Sequence, residues 1–200
     1  MRVSGSPKPP EDCPHINTIE GMKIRRVCFD HPDAVKLNGQ VQREYAERYG
    51  DNGDITPLTP AMFQPPRGLY LIVYDDRGAP AASGGWRGQD ANEEGYADGD
   101  AEIKRMYVIP QLRGRGLARM MLAALEDNAR AAGRTRMVLE TGIKLPEAVS
   151  LYTSSGYLPC AGFGPYRFDE LSRCYAKPLV LGAEFAPTPV TDTGSGYDAR

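Results

Sequence analysis

Apolar residues recur along this chain in two rhythms. Between Lys23 and Phe29, Ile24, Val27 and Phe29 alternate with polar positions well enough to predict a first strand. His31-Pro32-Asp33 then reads as a helix start. Val35, Leu37, Val41, Tyr45 and Tyr49 share a face over 34–49, and Gly50 ends that helix. Turn-forming residues fill 51–67, with Thr59 placed to cap a short helix running to Phe63. Gly68–Tyr74 predicts a strand, Asp75-Asp76-Arg77-Gly78 a hairpin turn, and Ala81–Gln89 the strand that pairs back. Within it, Gly84-Gly85 implies a bulge or a close approach by another group. A further strand occupies Ile103 to Ile109 and stops at Pro110. Helical spacing then takes over, with Ala118, Met121, Leu122, Leu125, Ala129 and Ala132 on one face and Gly133 as the stop. Arg136–Thr141 reads as a buried strand, Pro146 opens a helix that closes before Gly156, and 172–181 gives a last strand.

This order mixes local hairpins with crossovers, so it predicts an α/β, three-layer fold around a mixed sheet. One domain over 21–182 is expected. A flexible arm at 1–20, rich in proline, serine and charge, and a flexible tail at 183–200 would flank it. Composition narrows the class. With 200 residues, 41% apolar and 25% charged, the chain can bury an ordinary core. A net charge of −2 speaks against general attraction to nucleic acid or to an anionic membrane. No apolar run approaches the ~20 residues of a membrane helix, and the N-terminus lacks an apolar signal core, so a cytoplasmic location is expected. Cys13, Cys28, Cys160 and Cys174 form no Cys-x-x-Cys pair, and His15 and His31 offer little help, so free thiols and no metal are expected.

Candidate chemistry concentrates between strand and helix at 101–132. There Gly114 and Gly116 alternate with Arg113 and Arg115. A strand that feeds a glycine-rich turn and a helix N-terminus suits phosphate, because the first helical N–H groups lack partners and the dipole favours negative charge. A nucleoside-triphosphate loop is excluded by the missing Lys-Ser/Thr. A dinucleotide fingerprint is excluded by Arg119 at its third glycine. Instead, Gln111-x-x-Gly114-x-Gly116 followed by Ala118 resembles the Gln/Arg-x-x-Gly-x-Gly/Ala loop of the GNAT acyl-CoA-dependent N-acetyltransferases. The likeness spans roughly residues 23 to 180 and is sharpest from 101 to 157, where Leu151-Tyr152 and Gly156-Tyr157 follow in order.

The resemblance implies a GNAT-like fold with a mixed, mostly antiparallel sheet flanked by helices. It also implies acetyl-CoA as co-substrate and direct transfer of acetyl to a primary amine in a ternary complex. By resemblance, Gln111, Arg113, Gly114, Arg115, Gly116, Leu117 and Ala118 hold the pyrophosphate. The backbone of Met106, Tyr107 and Val108 binds pantetheine, with the Val108 N–H on the acetyl oxygen. Glu102 matches the glutamate that acts as base in the histone acetyltransferase branch, and Tyr152 the tyrosine that protonates the leaving thiolate. Their plainer readings are an edge carboxylate beside Lys104 or Arg105, and a packed tyrosine. His31 reads as support for the turn before the first helix, and Trp86 as core. The acceptor would lie among 34–67 and 159–171, walled by Tyr45, Tyr49, Phe63, Phe163, Tyr166 and Phe168. Six carboxylates between Asp90 and Glu102 form either a solvated loop or a rim attracting a small cationic amine. Two other functions stay open: a non-catalytic acyl-CoA-binding sensor or interaction domain, and a protein N-acetyltransferase. A homodimer also stays open.

Overall fold

The computed structural model describes residues 19, 21–50 and 53–180. The expected tail, His15, Cys13 and all of the expected arm but Ile19 lie outside the described residues. Strands β1 (Lys23–Arg26), β2 (Gly68–Tyr74), β3 (Pro80–Gln89), β4 (Asp100–Val108), β5 (Arg136–Gly142), β6 (Leu158–Pro159) and β7 (Ser172–Pro178) form one sheet in the order β1-β2-β3-β4-β5-β7-β6. Helices α1 (Pro32–Tyr49), α2 (Leu117–Ala131) and α3 (Pro146–Thr153) complete it. Only the β4–β5 pair is parallel. This is the α/β architecture the residue pattern predicts. Differences fall at element ends: β1 closes at Arg26, β7 at Pro178, and β4 starts as early as Asp100.

Alternation along the strands builds two large cores and a smaller cluster around Phe163. Leu69, Leu71, Val73, Trp86, Ile103, Met137 and Leu139 pack against Met121, Leu122 and Leu125 of α2. On the other face Tyr70, Ile72 and Tyr107 meet Ala34, Leu37 and Val41 of α1. Trp86 is core, and its indole N–H donates to Asn128 Oδ1 at 3.0 Å. His31 starts α1, its Nδ1 accepting from the Asp33 N–H at 3.2 Å, while Gly50 ends it in a left-handed conformation. Thr59 precedes a 3-10 turn at Pro60–Phe63 but makes no side-chain cap. No helix among the described residues is long and apolar enough to cross a membrane.

Two irregularities position the site. The first is the Gly84-Gly85 stretch. Ser83 pairs with Tyr107 and Gly85 with Lys104, so Gly84 faces two residues of β4, Arg105 and Met106. Met106 lies across Gly84, where a Cβ would come within 2.6 Å of its sulfur. Arg105 takes φ 57°, the one positive value at a non-glycine among the described residues. The second irregularity is the parting of β4 from β5. They pair only at Asp100, Ala101 and Glu102, opposite Arg136, Met137 and Val138, and then diverge. The fork is locked by Asp100, which accepts Arg136 Nε and Nη2 at 2.7 Å each and is fully buried. Asp100 is therefore not part of a solvated acidic loop.

Gly85 tests the close approach. An added Cβ would stand 2.5 Å from Tyr70 Cδ2 and 2.7 Å from the Leu69 carbonyl oxygen. Gly85→Ala should destabilise the protein by about 2–3 kcal/mol in urea unfolding, because the obstructing atoms include fixed backbone. An unchanged midpoint would show that β2 and β3 can separate at no cost.

Candidate active site

Where β4 and β5 diverge, a cleft of about 670 Å³ opens between them. Its walls run from the turn before α2, along Ile103–Val108, to Glu140–Gly142 on β5 and the loops at Asp54 and Tyr166. At the first end, Gly114 and Gly116 have φ 76° and 81°, and a Cβ on Gly114 would meet nothing within 4 Å. Gly116 opens α2 with no side-chain cap, so the first helical N–H groups stay available. Gly114, Gly116, Leu117, Ala118 and Arg119 line the cleft, whereas Gln111 and Arg115 do not. Gln111 faces a separate depression beside α1. Arg113 is engaged by protein: Nε donates to the Val108 carbonyl at 3.0 Å and Nη2 to Glu44 at 2.5 Å. Arg48 joins Glu44 at 2.8 Å to Glu147 at 2.5 Å, completing a chain of ion pairs from the turn through α1 to α3. Arg115 is exposed and has no ion pair among the described residues.

The strand edge follows. Ile109 N–H donates to the Ala81 carbonyl at 3.0 Å, and Val108 stands opposite Ala82. Antiparallel alternation then turns the Val108 N–H away from β3, toward the edge that β5 has left. Met106, Tyr107 and Val108 all line the cleft. So does Tyr152, buried on α3 and edge-on to Tyr157 at 5.7 Å. Burial, then the charge of Glu140, pushes the Tyr152 phenol well above its ordinary value and keeps it protonated.

Glu102 does not line the cleft. Its side chain is 1% exposed, accepts Arg87 Nε at 2.6 Å and Gln89 Nε2 at 3.0 Å, and pairs with Lys104 Nζ at 2.9 Å. Burial would raise its pKa, but Lys104 and Arg87 outweigh that and hold it below the ordinary carboxylate value. A carboxylate so occupied is a weaker base than a free one, which speaks against the expectation that Glu102 takes the proton. Spacing along the strand fixed its position but not the face or the partners.

A different carboxylate occupies the cleft. Glu140 lies on β5, two residues past the fork, and accepts a hydrogen bond from Ser172 Oγ at 3.0 Å. Burial raises its pKa; Lys104 and Ser172 oppose, while Asp54 and Glu102 add. Its signal in the sequence was a charge ending the apolar run Met137-Val138-Leu139. Beside it, Tyr45, Tyr49 and Tyr166 line the cleft as expected. Phe63 and Phe163 belong instead to separate cores, and Phe168 is 85% exposed. None of residues 90–99 reaches the cleft, so the acidic loop is not its rim; Asp90 pairs with Arg67 at 2.8 Å. No group of three or more His, Cys, Asp or Glu among the described residues is arranged to hold a metal. Cys28, Cys160 and Cys174 are free thiols.

Comparison with known proteins agrees with this geometry. Residues 37–157 match the Acetyltransferase (GNAT) family, and the chain belongs to it. The IAA acetyltransferase of Azospirillum brasilense is 43% identical over 81 residues, 40% of this chain and 53% of that protein, so the match spans about half of that relative. The N-acetyltransferase YjgM of Escherichia coli K12, itself uncharacterized, is 28% identical over 141 residues, 67% of this chain and 80% of that one. A solved Klebsiella pneumoniae protein assigned to the acyl-CoA N-acyltransferases superposes with TM-score 0.63 at 30% identity, covering 80% of this chain and 98% of that chain.

Glu140 gives a stability test. An acid whose folded pKa is raised binds its proton more tightly in the folded state, so stability falls as pH rises from the unfolded value of about 4.3 to the raised one. Glu140→Gln should therefore raise the melting temperature of the free protein at pH 7–8 and lose that gain below pH 4. A variant less stable than the parent at both pH values would mean that the carboxylate is held, not strained.

Proposed function

We propose that the protein is an N-acetyltransferase that moves the acetyl group of acetyl-CoA to a primary amine of a small molecule, by direct transfer in a ternary complex. The observation that carries this reading is the continuity of the cleft. It joins the free N–H groups opening α2, the unpaired edge of β4 at Val108, and the half-buried carboxylate of Glu140. Acetyl-CoA supplies an activated thioester. The N–H groups of Gly116, Leu117 and Ala118 bind its pyrophosphate, with Arg115 adding charge from the rim. Gln111 and Arg113 shape the turn, Arg113 by fixing the Val108 carbonyl. The backbone from Met106 to Val108 pairs with pantetheine along the edge, and Val108 N–H donates to the thioester oxygen as it gains charge.

Glu140 accepts the proton of the incoming ammonium, since it lines the cleft and burial raises its basicity. As the carbon–nitrogen bond forms and the carbon–sulfur bond breaks, Tyr152 gives its phenol proton to sulfur and recovers the second proton lost by nitrogen. Glu140 releases the first to water. Glu102 anchors Lys104 and has no direct part in the transfer.

Calorimetric titration of acetyl-CoA into the wild type should saturate, and a folded Arg115→Glu, Gly116→Glu variant should bind at least about 10-fold more weakly. With an accepted amine, Glu140→Gln and Tyr152→Phe should each lower kcat about 100-fold, read as free thiol release. Wild type that binds acetyl-CoA yet releases no thiol with any amine would leave a non-catalytic acyl-CoA-binding domain.

A further inference from the structure

The acceptor end of the cleft holds more charge than proton transfer requires. Six ionisable groups gather there or directly behind it: Asp54, Glu102 and Glu140 against Arg87, Lys104 and Arg105. The buried acids and bases balance, and only the exposed Asp169 at the mouth adds a further negative charge, so a polycation meets little net negative charge. The other charged groups of the cleft are engaged elsewhere. Glu44, Glu147 and Arg113 belong to the ion-pair chain with Arg48, and the exposed Asp169 accepts the Leu171 N–H at 2.8 Å.

Two groups keep unused bonding capacity. Glu140 has one protein donor among the described residues, Ser172 Oγ. Arg105 is 7% exposed, and its Nη1 lies 3.1 Å from Asp54 Oδ2 but outside hydrogen-bond geometry, so that buried nitrogen has no acceptor. Nη2 donates only to the Asp54 carbonyl, at a long 3.3 Å. The guanidinium reaches this place through the β4 bulge and a left-handed backbone, a conformation that residues with a side chain rarely adopt. Arg105 lines the cleft, and this buried nitrogen without an acceptor is the place in its wall where an acid group would find a donor.

We infer that the acceptor is a primary amine that also bears an anion, of the α-amino acid or aminoalkyl acid class, with its ammonium at Glu140 and its acid at Arg105. The inference rests on the acetyl-transfer reading above. It makes the site a reader of zwitterions, in which the acid group fixes the orientation and the nearly neutral floor rejects polyamines.

Matched acceptors test it: phenylalanine against phenethylamine, tyrosine against tyramine, methionine against its decarboxylated amine, each with acetyl-CoA and thiol release as readout. The acid-bearing member of at least one pair should have kcat/KM about 10- to 100-fold higher, the worth of a charge-assisted hydrogen bond. Arg105→Met should bring that ratio near unity. Asp54→Asn, which frees Arg105 and keeps an acceptor for Thr56, should widen it, so the proposal survives a misfolded arginine variant. Equal or better turnover of the decarboxylated members by the wild type overturns the inference. If no amine releases thiol, the transfer reading fails, and binding decides the ligand class alone. Into CoA-saturated protein, the N-acetylated acids should titrate more tightly than the N-acetylated amines, and indifference between them overturns the proposal.

Discussion

Glu102 holds the centre of this molecule. It is the last residue of β4 to pair with β5, and it stands at the fork with Arg87 and Lys104 on its oxygens. Three charges buried together in this way add little net stability, because desolvation consumes most of the attraction. They do impose order. Lys104 is drawn back to Glu102, which leaves Arg105 to turn toward Asp54, and the bulge lets Met106 fill the space above Gly84. Lys104 already lines the cleft and lowers the pKa of Glu140, and an apolar residue at 102 would remove its anchor. The carboxylate read from the sequence as the proton acceptor is tied to two cations, whereas Glu140, the acceptor we propose, has one hydrogen-bond donor among the described residues.

The cleft follows from the same place. Past Glu102, β4 trades the ladder bonds that β5 would have made for an edge that another extended chain can use. Glycine supplies the other end, where positive φ values at Gly114 and Gly116 bring bare backbone to the start of α2. An edge that offers backbone groups depends little on side-chain identity, and the fold is shared with a solved protein at 30% identity.

How much of this could be read beforehand differs by length scale. Period-two and period-3.6 patterns placed the main strands and all three helices, because one face of each is buried. The turn before α2 was legible because its glycines have a conformational requirement. What could not be read depends on pairing between distant segments. Nothing at Glu102 says that Arg87 lies opposite it in the next strand, and nothing at Arg113 says that Glu44 on α1 will claim it. The acidic stretch from Asp90 to Asp100 illustrates both outcomes. Its outer part is solvated, while Asp100 is buried by a partner 36 residues away, Arg136. Glu140 was visible as a charge in an apolar strand, a signal that competes with the chance that the strand simply ends there.

The fork has a mechanical side. Only three residue pairs join β1–β4 to β5–β7–β6. From Glu102 to Val108, β4 extends about 20 Å at ~3.3 Å per residue. A rotation of about 5° at the joint would therefore carry the Val108 end through nearly 2 Å, enough by this geometry to make or break a hydrogen bond there. The Asp100–Arg136 clamp lies on the short arm of that lever. How stiffly the far end is held therefore depends on an ion pair remote from the cleft, together with the packing of α2 against strands on both sides of the fork.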